Sequence, residues 1–431
     1  MNTKRIMRWV IVLFLLAALP VMTAVMAQEQ EPAGKQLPVV TEPGESAAPD
    51  TYNLYESESN NTLGTADVMN RGDVMGGKIG AAGDVDYFRF QASSWYGIVL
   101  IDIDAQSIGS TLDSVVCLLD QSGTELACND DTDTGDSLVF YRPQSGLHYI
   151  RVTQYGNSSG GDSYSYELIL SSPLLISAPA AKLGTGMVAG IPFKSEDILA
   201  HSDLNTGFQK WVMFFDGSDV GITKNVTNVA ADNDSSAILL SLANNLTLPG
   251  AGLVTPWDIV TFTPSRYGPA TAGTFSMAFP GRQHDLTTSA EKLDALVEGG
   301  YDRFWVSTVG AAAVPYYGGS AGTLKPKDED VFIWRGDGND EWWQDFWAQY
   351  VTGLAAEDVN AAAFNSVDNL MYLNILGKGK IFGHTVTQKD IFAITYTPQS
   401  GNTNYTWGGL VWHGPDHGWN YNIDAIELSG W

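Results

Sequence analysis

Basic residues, cysteine and long apolar runs are all scarce in this chain of 431 residues. Lysine and arginine number 23 against 49 acidic residues, which gives a formal net charge of −26. Because such a surface repels the phosphates of nucleic acids and anionic membranes, we expect neither as a partner. Beyond the N-terminal segment no apolar run reaches the roughly 20 residues of a membrane-spanning helix, so we expect no insertion into a membrane.

The clearest apolar run stands at the N-terminus and is short. Three basic residues precede residues 10–19, and Val25 and Ala27 place small side chains where signal peptidase reads them. About ten apolar residues are half a membrane span, which disfavours an uncleaved anchor. We therefore predict a signal peptide at residues 1–27 and a secreted or periplasmic protein. Residues 28–50, rich in Glu, Pro, Gly and Ala, are predicted to be a disordered linker.

Composition indicates an all-β protein. The chain has 45 glycines, 18 prolines and 11% aromatic residues, a mixture typical of many short strands joined by turns. The two cysteines, Cys117 and Cys128, flank a Ser-Gly turn signal that brings them onto adjacent strands. In an oxidising compartment we expect a disulfide between them, and the alternative is a pair of buried thiols.

Residues 51–172 carry closely spaced strand patterns and a series of short motifs. These are ESESNNT at 56–62, GDVDYF at 83–88, LLD at 118–120, LACNDD at 126–131 and GLHYIRV at 146–152. In this order they resemble the bacterial pre-peptidase C-terminal domain, the group that includes the collagen-binding modules of clostridial collagenases. The resemblance implies a jelly-roll β-sandwich for residues 51–172.

Oxygen-bearing side chains cluster in the first two of these motifs. Calcium takes six to eight oxygen ligands, several of them carboxylates. The resemblance implies a calcium site, because the equivalent segments bind calcium in the collagen-binding relatives. The alternative is a solvated acidic entry to a strand. The predicted ligands are Glu56, Glu58, Asn60, Asn61, Asp84 and Asp86.

Residues 173–431 contain a repeat of four strands. Equivalent strands begin at Asp197, Asp258, Asp330 and Asp390, and each is followed by an aromatic strand at 211–215, 274–279, 346–350 or 407–412. The last repeat lacks its fourth strand, and residues 174–177, ahead of the first repeat, match it. A circle closed by both ends of the region would be a four-bladed β-propeller of the kind found in secreted bacterial proteins. The alternative is two stacked sandwiches.

Two sets of polar residues recur in these repeats. One is the four aspartates above, and the other is Asn228, Asp294, Asn360 and Asp424. Recurrence in every repeat favours an architectural role, such as capping strand ends or bonding the next blade. The alternative is that one set lines a central channel and holds a cation or a ligand.

No convincing catalytic motif is present. GGSAG at 318–322 fits G-x-S-x-G, but it lies between two strands with no helix after it, so we interpret it as a chance match. His413 and His417 are four residues apart in a Gly- and Pro-containing loop, which excludes a helical metal motif, although this loop could line a pocket. Trp342, Trp343 and Trp419 fall in turn-rich stretches, where they could contact a ligand or cap the blade ends.

We therefore predict a secreted, non-enzymatic binding or adhesion protein. The sandwich would be a calcium-stiffened accessory module, and the propeller would recognise an extracellular polysaccharide or protein. The alternative function is a propeller hydrolase or lyase acting on polysaccharide, with carboxylates such as Asp294, Asp424 or Glu357 at its channel.

Overall fold

The computed structural model describes residues 52–93, 97–131, 135–179, 185–233, 235–300, 303–316, 322–336, 341–346, 348–365, 369–399 and 402–428. The predicted signal peptide and linker, and all of the GGSAG motif except Gly322, lie outside these residues. The described residues belong to one compact unit. None of their helices is long and apolar enough to span a membrane.

The described part of the chain is all-β, as predicted, and its only helices are short 3-10 turns. The first ten strands are Leu54–Tyr55 (β1), Asp67–Val68 (β2), Val74–Lys78 (β3), Val85–Ala92 (β4), Val99–Asp104 (β5), Ser114–Leu119 (β6), Glu125–Asn129 (β7), Leu138–Tyr141 (β8), Gly146–Gln154 (β9) and Ser165–Ser171 (β10). The 3-10 turns are Leu63–Thr65, Gln106–Ile108, Tyr155–Asn157, Gly217–Val220, Gly281–His284, Ser289–Glu291, Ala348–Tyr350 and Gly414–His417.

These ten strands form two five-stranded sheets, in the orders β1-β3-β10-β5-β8 and β2-β4-β9-β6-β7. The sheets share one apolar core, to which Phe88 and Ile150 contribute from one sheet and Ile101 and Leu168 from the other. Strand β4 shows why the sequence folds this way, because its alternate residues are buried while Arg89 and the other residues between them face outward. The arrangement is sandwich-like, as predicted.

The remaining strands follow in chain order. The first eleven are Leu174–Ser177 (β11), Gly186–Val188 (β12), Ile191–Phe193 (β13), Ile198–Asp203 (β14), Gln209–Phe215 (β15), Val226–Ala231 (β16), Ile238–Leu242 (β17), Leu246–Leu248 (β18), Gly252–Val254 (β19), Ile259–Arg266 (β20) and Ala272–Phe279 (β21). The others are Leu293–Glu298 (β22), Arg303–Thr308 (β23), Val314–Tyr316 (β24), Gly322–Leu324 (β25), Val331–Arg335 (β26), Glu341–Phe346 (β27), Asp358–Asn365 (β28), Leu370–Leu376 (β29), Lys378–Ile381 (β30), His384–Thr387 (β31), Asp390–Gln399 (β32), Asn402–His413 (β33) and Ala425–Glu427 (β34).

They form four main sheets, with the orders β15-β14-β11-β34, β16-β17-β20-β21, β22-β23-β26-β27 and β28-β29-β32-β33. Strands β24 and β25 extend the third sheet beyond β27. In the first sheet β11 pairs antiparallel with β14 on one side and with β34 on the other, so both ends of the region share a sheet. The predicted pairing of residues 174–177 with the last repeat is therefore confirmed.

One backbone hydrogen bond recurs between successive sheets. Each sheet has one edge strand, β16, β22, β28 or β34, that lies next to the preceding sheet. A residue near the start of this edge strand donates its N–H to a carbonyl just before the Asp-headed strand of the preceding sheet. The four bonds are Val226 to Ser195, Leu293 to Pro256, Val359 to Asp328 and Ile423 to Gln388, with N···O distances of 3.0, 3.0, 3.1 and 3.0 Å. The fourth bond connects the last sheet to the strand that completes the first.

The four repeated aspartates bind the backbone of their own sheet. Each accepts a hydrogen bond from the N–H three residues earlier, and three of them also accept one from the N–H of the second residue after the aromatic strand. The amide pairs are Lys194 and Gly217 for Asp197, Thr255 and Gly281 for Asp258, and Lys327 and Ala348 for Asp330; Asp390 binds the Thr387 amide and the His413 ring. The architectural role predicted for these four residues is confirmed.

Two details of the predicted repeat are wrong. In the second sheet a β-bulge puts Val226 opposite Leu242 and Asn228 opposite Ser241, so Thr227, and not Asn228, matches Asp294 of the next sheet. The aromatic strand of the third repeat is Glu341–Phe346, whereas Ala348–Tyr350 is a 3-10 turn. Trp342 and Trp343 therefore lie in a strand and not in a turn.

The sandwich and the repeat region pack tightly on each other. Phe140 of the sandwich contacts Phe214 and Tyr267 of the repeats, with ring centroids 4.9 and 6.2 Å apart, inside one continuous apolar cluster. Lys210 reaches back to the sandwich and binds Asp102 at 3.2 Å and Asp104 at 2.6 Å. Burial by itself lowers the pKa of Lys210, but these two carboxylates raise it above its ordinary value.

Candidate functional site

The segment between β1 and the first 3-10 turn carries the first group of predicted calcium ligands. Backbone hydrogen bonds hold it at both ends, from Glu56 N to Gly76 O at 3.0 Å and from Tyr87 N to Asn60 O at 3.1 Å. The Glu56 side chain turns inward, where its Oε1 accepts a hydrogen bond of 2.6 Å from the Lys78 amide. The segment is thus fixed against both sheets of the sandwich.

The second group comes from the turn that leads into β4. Gly83 adopts a φ of 86°, a left-handed conformation that favours glycine, and this turn delivers Asp84 and Asp86. Asp84 Oδ2 accepts from Gly80 N at 2.7 Å, and its Oδ1 accepts from Asn61 Nδ2 at 2.7 Å. Asn61 therefore contacts the predicted site through its amide nitrogen.

The two groups converge on one point. Carboxylate oxygens of Glu56, Glu58 and Asp86 all lie within 4.8 Å of one another. A Cβ placed on Gly80 would lie 3.3 Å from Asp84 Oδ2 and 4.0 Å from Glu58 Oε1, so these two carboxylates border the same glycine. The structure brings together the four acidic residues that the sequence analysis named.

Tyr166 is a member of this cluster that sequence reasoning missed. Its hydroxyl, carried on β10, lies 2.6 Å from Asp86 Oδ2 of the opposite sheet and 3.1 Å from Glu56 Oε2, and its one proton is shared between these two acceptors. Asp67 was also missed; it accepts hydrogen bonds from the Ser57 amide and hydroxyl and lies 3.5 Å from Asn60 Nδ2. Neither residue belongs to a local motif, so only the fold could reveal them.

Two acceptor atoms in this region are buried without a hydrogen-bond donor. They are Asn60 Oδ1 and Asp86 Oδ1, and both residues are fully buried. Leaving a buried polar atom unpaired costs about 1–3 kcal/mol, and more for a charged group. Because both atoms are lone-pair donors and neither needs a proton acceptor, a bound cation is the partner that fits them.

The electrostatics of the cluster indicate the same need for positive charge. Burial and the charge of Glu56 raise the pKa of Asp86 to about 9, and burial raises the pKa of Glu56 to about 7. The nearby Lys78 ammonium forms its ion pair with Asp162, at 2.9 Å. Without a cation the cluster keeps protons that a divalent ion would displace.

The remaining predicted sandwich feature is the cysteine pair. Cys117 of β6 and Cys128 of β7 face each other in the antiparallel register, and the structure joins them in a disulfide. Their Cα atoms are 4.1 Å apart. Bonded sulfurs are poor metal ligands, so these two residues and the neighbouring Glu125 form no metal site.

Two of the tryptophans predicted to contact a ligand are instead core residues. Trp342 and Trp419 are 1% and 0% exposed, and Trp419 is stacked between Phe193 and Trp211. The expectation of ligand contact is therefore wrong for both, because no ring face reaches solvent. Trp343 is half-buried, and the Arg335 guanidinium lies 4.7 Å from its ring centroid.

The two loop histidines have different partners. His413 Nδ1 binds Asp390, one of the four repeated aspartates. His417 stacks on Trp412 with ring centroids 5.3 Å apart, and its Nδ1 lies 3.7 Å from Asp203. The two histidines, although four residues apart in the sequence, therefore do not belong to one site.

The carboxylates of the alternative, enzymatic hypothesis are dispersed among structural partners. Asp294 is hydrogen-bonded to Asp358, and burial together with the Asp358 charge raises the pKa of Asp294 well above its usual range. Asp424 accepts from the Asn225 amide, and its burial raises its pKa to about 7. Glu357 packs against Gly379 instead. The direct carboxyl–carboxylate contact is closer than the roughly 5–9.5 Å that separate a glycosidase pair.

Comparisons with known proteins find short or distant similarities. No family model matches the chain. A protein described as a probable subtilase-type serine protease of Deinococcus radiodurans is 32% identical over 113 residues, which are 25% of this chain and 15% of that protein. The solved pre-peptidase C-terminal domain of a Bacillus anthracis collagenase matches at 17% identity and a TM-score of 0.21, over 25% of this chain and 94% of that domain. This chain therefore spans only a small part of the protease relative.

Proposed function

We propose that residues 52–172 are a calcium-binding module of the pre-peptidase C-terminal type. Glu56, Glu58, Asp84 and Asp86 would supply carboxylate oxygens, and Asn60 an amide oxygen, which is the hard oxygen set that calcium prefers. The observation that carries the proposal is the pair of buried acceptors, Asn60 Oδ1 and Asp86 Oδ1, that lack a donor. Asn61 would act by holding Asp84 through its amide nitrogen.

We propose that the repeat region is a four-bladed propeller. Four sheets of four principal strands, the sharing of the first sheet by both ends of the region, and the recurring hydrogen bond between successive sheets support this architecture. One edge strand of each sheet lies next to an edge strand of the next sheet. In order these are β16, β22, β28 and β34, and β34 lies beside β16 again. A propeller of this kind offers loops at its two ends for recognition.

The function we infer is that of an exported, non-enzymatic binding protein for an extracellular polysaccharide or protein. The match to the protease covers about a quarter of this chain and a small part of the relative, which suits a shared accessory module better than a shared catalytic unit. Asp294 and Asp424, the carboxylates of the alternative function, have buried partners of their own. Trp343 beside Arg335 remains a candidate contact for the ligand.

Calorimetric titration of calcium into the full chain, after treatment with a chelator, tests the module. We expect one bound ion, at least tenfold weaker binding in Asp86→Asn, and unchanged binding in the matched control Asp131→Asn, whose side chain is exposed in the same module. No heat of binding at millimolar calcium would refute the site. Capture of the protein on a panel of insoluble polysaccharides and collagen, with and without chelator, then tests the recognition function. Loss of capture in Trp343→Ala would show that Trp343 contacts the ligand.

A further inference from the structure

One histidine of the repeat region is buried without hydrogen bonds. His201 lies on β14, is 0% exposed, and neither its Nδ1 nor its Nε2 makes a hydrogen bond. Burial and the nearby His417 lower the pKa of His201 to about 3, and the opposing influence of the Gln209 side chain comes without a hydrogen bond to either ring nitrogen. A buried core histidine normally satisfies its ring N–H, so the isolation of both nitrogens calls for an explanation.

Two further metal-binding side chains face this histidine. His201 Nε2 lies 3.8 Å from Asp203 Oδ1, and His417 Nδ1 lies 3.7 Å from the same oxygen. The His417 Nδ1 is also buried without a hydrogen bond. The three ligand atoms lie within 4.8 Å of one another, although His417 is more than two hundred residues from the other two.

The geometry points to a second metal site, formed by His201, Asp203 and His417, for a divalent transition cation of which Zn²⁺ is the natural probe. Zinc bonds of about 2.0–2.1 Å at tetrahedral angles place ligand atoms about 3.4 Å apart, so the two separations from Asp203 Oδ1, 3.8 and 3.7 Å, need to close by only a few tenths of an ångström. Two imidazoles and one carboxylate suit zinc or another first-row metal. Calcium, which prefers an all-oxygen shell, suits them poorly.

Aromatic rings hold these ligands in place. Trp211 lies 4.5 Å from His201, ring centroid to ring centroid, and its Nε1 donates to the His417 carbonyl at 3.0 Å. Trp412 stacks on His417 on the other side, with an interplanar angle of 12°. Such fixed rings reduce the reorganisation needed to bind a metal.

The site is also accessible from solvent. Asp203 lines a pocket of about 350 Å³ together with Arg71, Asn205 and other residues at the boundary between the sandwich and the repeats. Three protein ligands leave at least one coordination position for water or an external ligand, as in catalytic zinc sites. A metal here would join β14 of the first sheet to the Gly414–His417 turn of the last repeat, and so fasten the two ends of the repeat region together.

Zinc titration of the full chain in excess calcium, after removal of metals with a chelator, tests this inference. We expect one zinc ion, with binding at least tenfold weaker in Asp203→Asn and in His417→Gln. Binding should be unchanged in His384→Gln, which removes an exposed histidine of β31, and in Asp86→Asn, which alters the carboxylate cluster. Asp203 and His417 are both partly exposed, so these variants are expected to fold, and circular dichroism checks that they do.

Cobalt provides a direct spectroscopic test that does not depend on variants. Co²⁺ bound by imidazole and carboxylate ligands should give visible d–d bands that zinc displaces and that are absent in Asp203→Asn. Zinc binding that is unaffected by both ligand variants, or that is lost in Asp86→Asn, would overturn the site. Failure of the wild-type chain to bind zinc would overturn it as well, while leaving the calcium titration to decide the sandwich site separately.

Discussion

Replacement of Asp86 by asparagine should stabilise the metal-free protein and, at the same time, reduce the stabilisation that calcium provides. In the metal-free protein, burial and Glu56 raise the pKa of Asp86 from 3.8 to about 9. The folded state therefore binds a proton at this residue that the unfolded state has released above pH 4, and stability must fall as the pH rises through this window. Asparagine resembles the neutral carboxyl group and does not titrate, so the Asp86→Asn variant does not lose stability in this way as the pH rises.

The magnitude follows from the number of protons. One proton retained only by the folded state costs about 1.4 kcal/mol per pH unit, so at pH 7 the calcium-free Asp86→Asn variant should exceed the wild type by up to about 4 kcal/mol. Other buried carboxylates with raised pKa values, such as Asp424 and Glu298, add a slope of the same sign to both proteins. The difference between variant and wild type removes these shared contributions and reports the titration of Asp86 together with Glu56, to which it is coupled.

Urea unfolding at pH 5, 6 and 7, followed by circular dichroism in the presence of a chelator, measures this difference. The free energy of unfolding of Asp86→Asn minus that of the wild type should grow by about 1.4 kcal/mol per pH unit. The same difference for the control Asp131→Asn should not change with pH. With calcium at a hundred times the wild-type dissociation constant, the wild type should gain about 2.7 kcal/mol, and Asp86→Asn, which binds at least tenfold more weakly, should gain at most about 1.4 kcal/mol. A difference that does not change with pH, or an equal gain from calcium in both proteins, would refute the reasoning.

Three other substitutions or treatments test the scaffold. Lys210→Ala leaves Asp102 buried without its cation, so urea unfolding at pH 7 should show a loss of about 3–5 kcal/mol, and this loss should shrink at pH 5, where Asp102 can take up a proton. Gly281→Ala would place a Cβ 1.9 Å from a backbone carbonyl oxygen, and we expect a loss of about 2 kcal/mol or more in the same assay. Reduction of the Cys117–Cys128 bond should lower the free energy of unfolding by roughly 3 kcal/mol, and intact mass after alkylation without reductant should show no added label.

Local patterns were sufficient to predict the all-β fold class and the pairing of residues 174–177 with the last repeat. The alternation of β4 and the recurrence of an aspartate at the head of a strand are local signals, and the structure has the predicted sheets at these places. The equivalence of Thr227 with Asp294 was not predicted, because the neighbouring Asn228 resembles Asn360 and Asp424, and only the β-bulge that recurs in three sheets shows which residue is the extra one. The exposure of Trp342 and Trp419 was mispredicted for a related reason, since turn-rich neighbours do not reveal which rings the adjacent sheets cover.

Some residues of the candidate sites were predictable from sequence motifs, and others were not. Glu56, Glu58 and Asp86 stand in two short motifs, and the resemblance to the pre-peptidase C-terminal domain was enough to group them. Tyr166 joins that cluster across the sandwich, and its position depends on how the two sheets face each other. Of the site at His201, sequence pointed only to the loop that contains His417, because the other two ligands come from the opposite end of the repeat region and are brought to it by the fold.

The boundary between the two regions changes how the sandwich is expected to act. An accessory module on a flexible linker would move independently of its neighbour, and interfaces between domains of one chain usually permit such motion. Here, however, Phe140 is inserted into the apolar cluster that also contains Phe214, and Lys210 is buried against two carboxylates of the sandwich. Separating the regions would expose those rings to water and would remove Lys210 from its two carboxylate partners. The sandwich and the repeats should therefore unfold together, and a cation bound in the sandwich should stabilise the whole described chain.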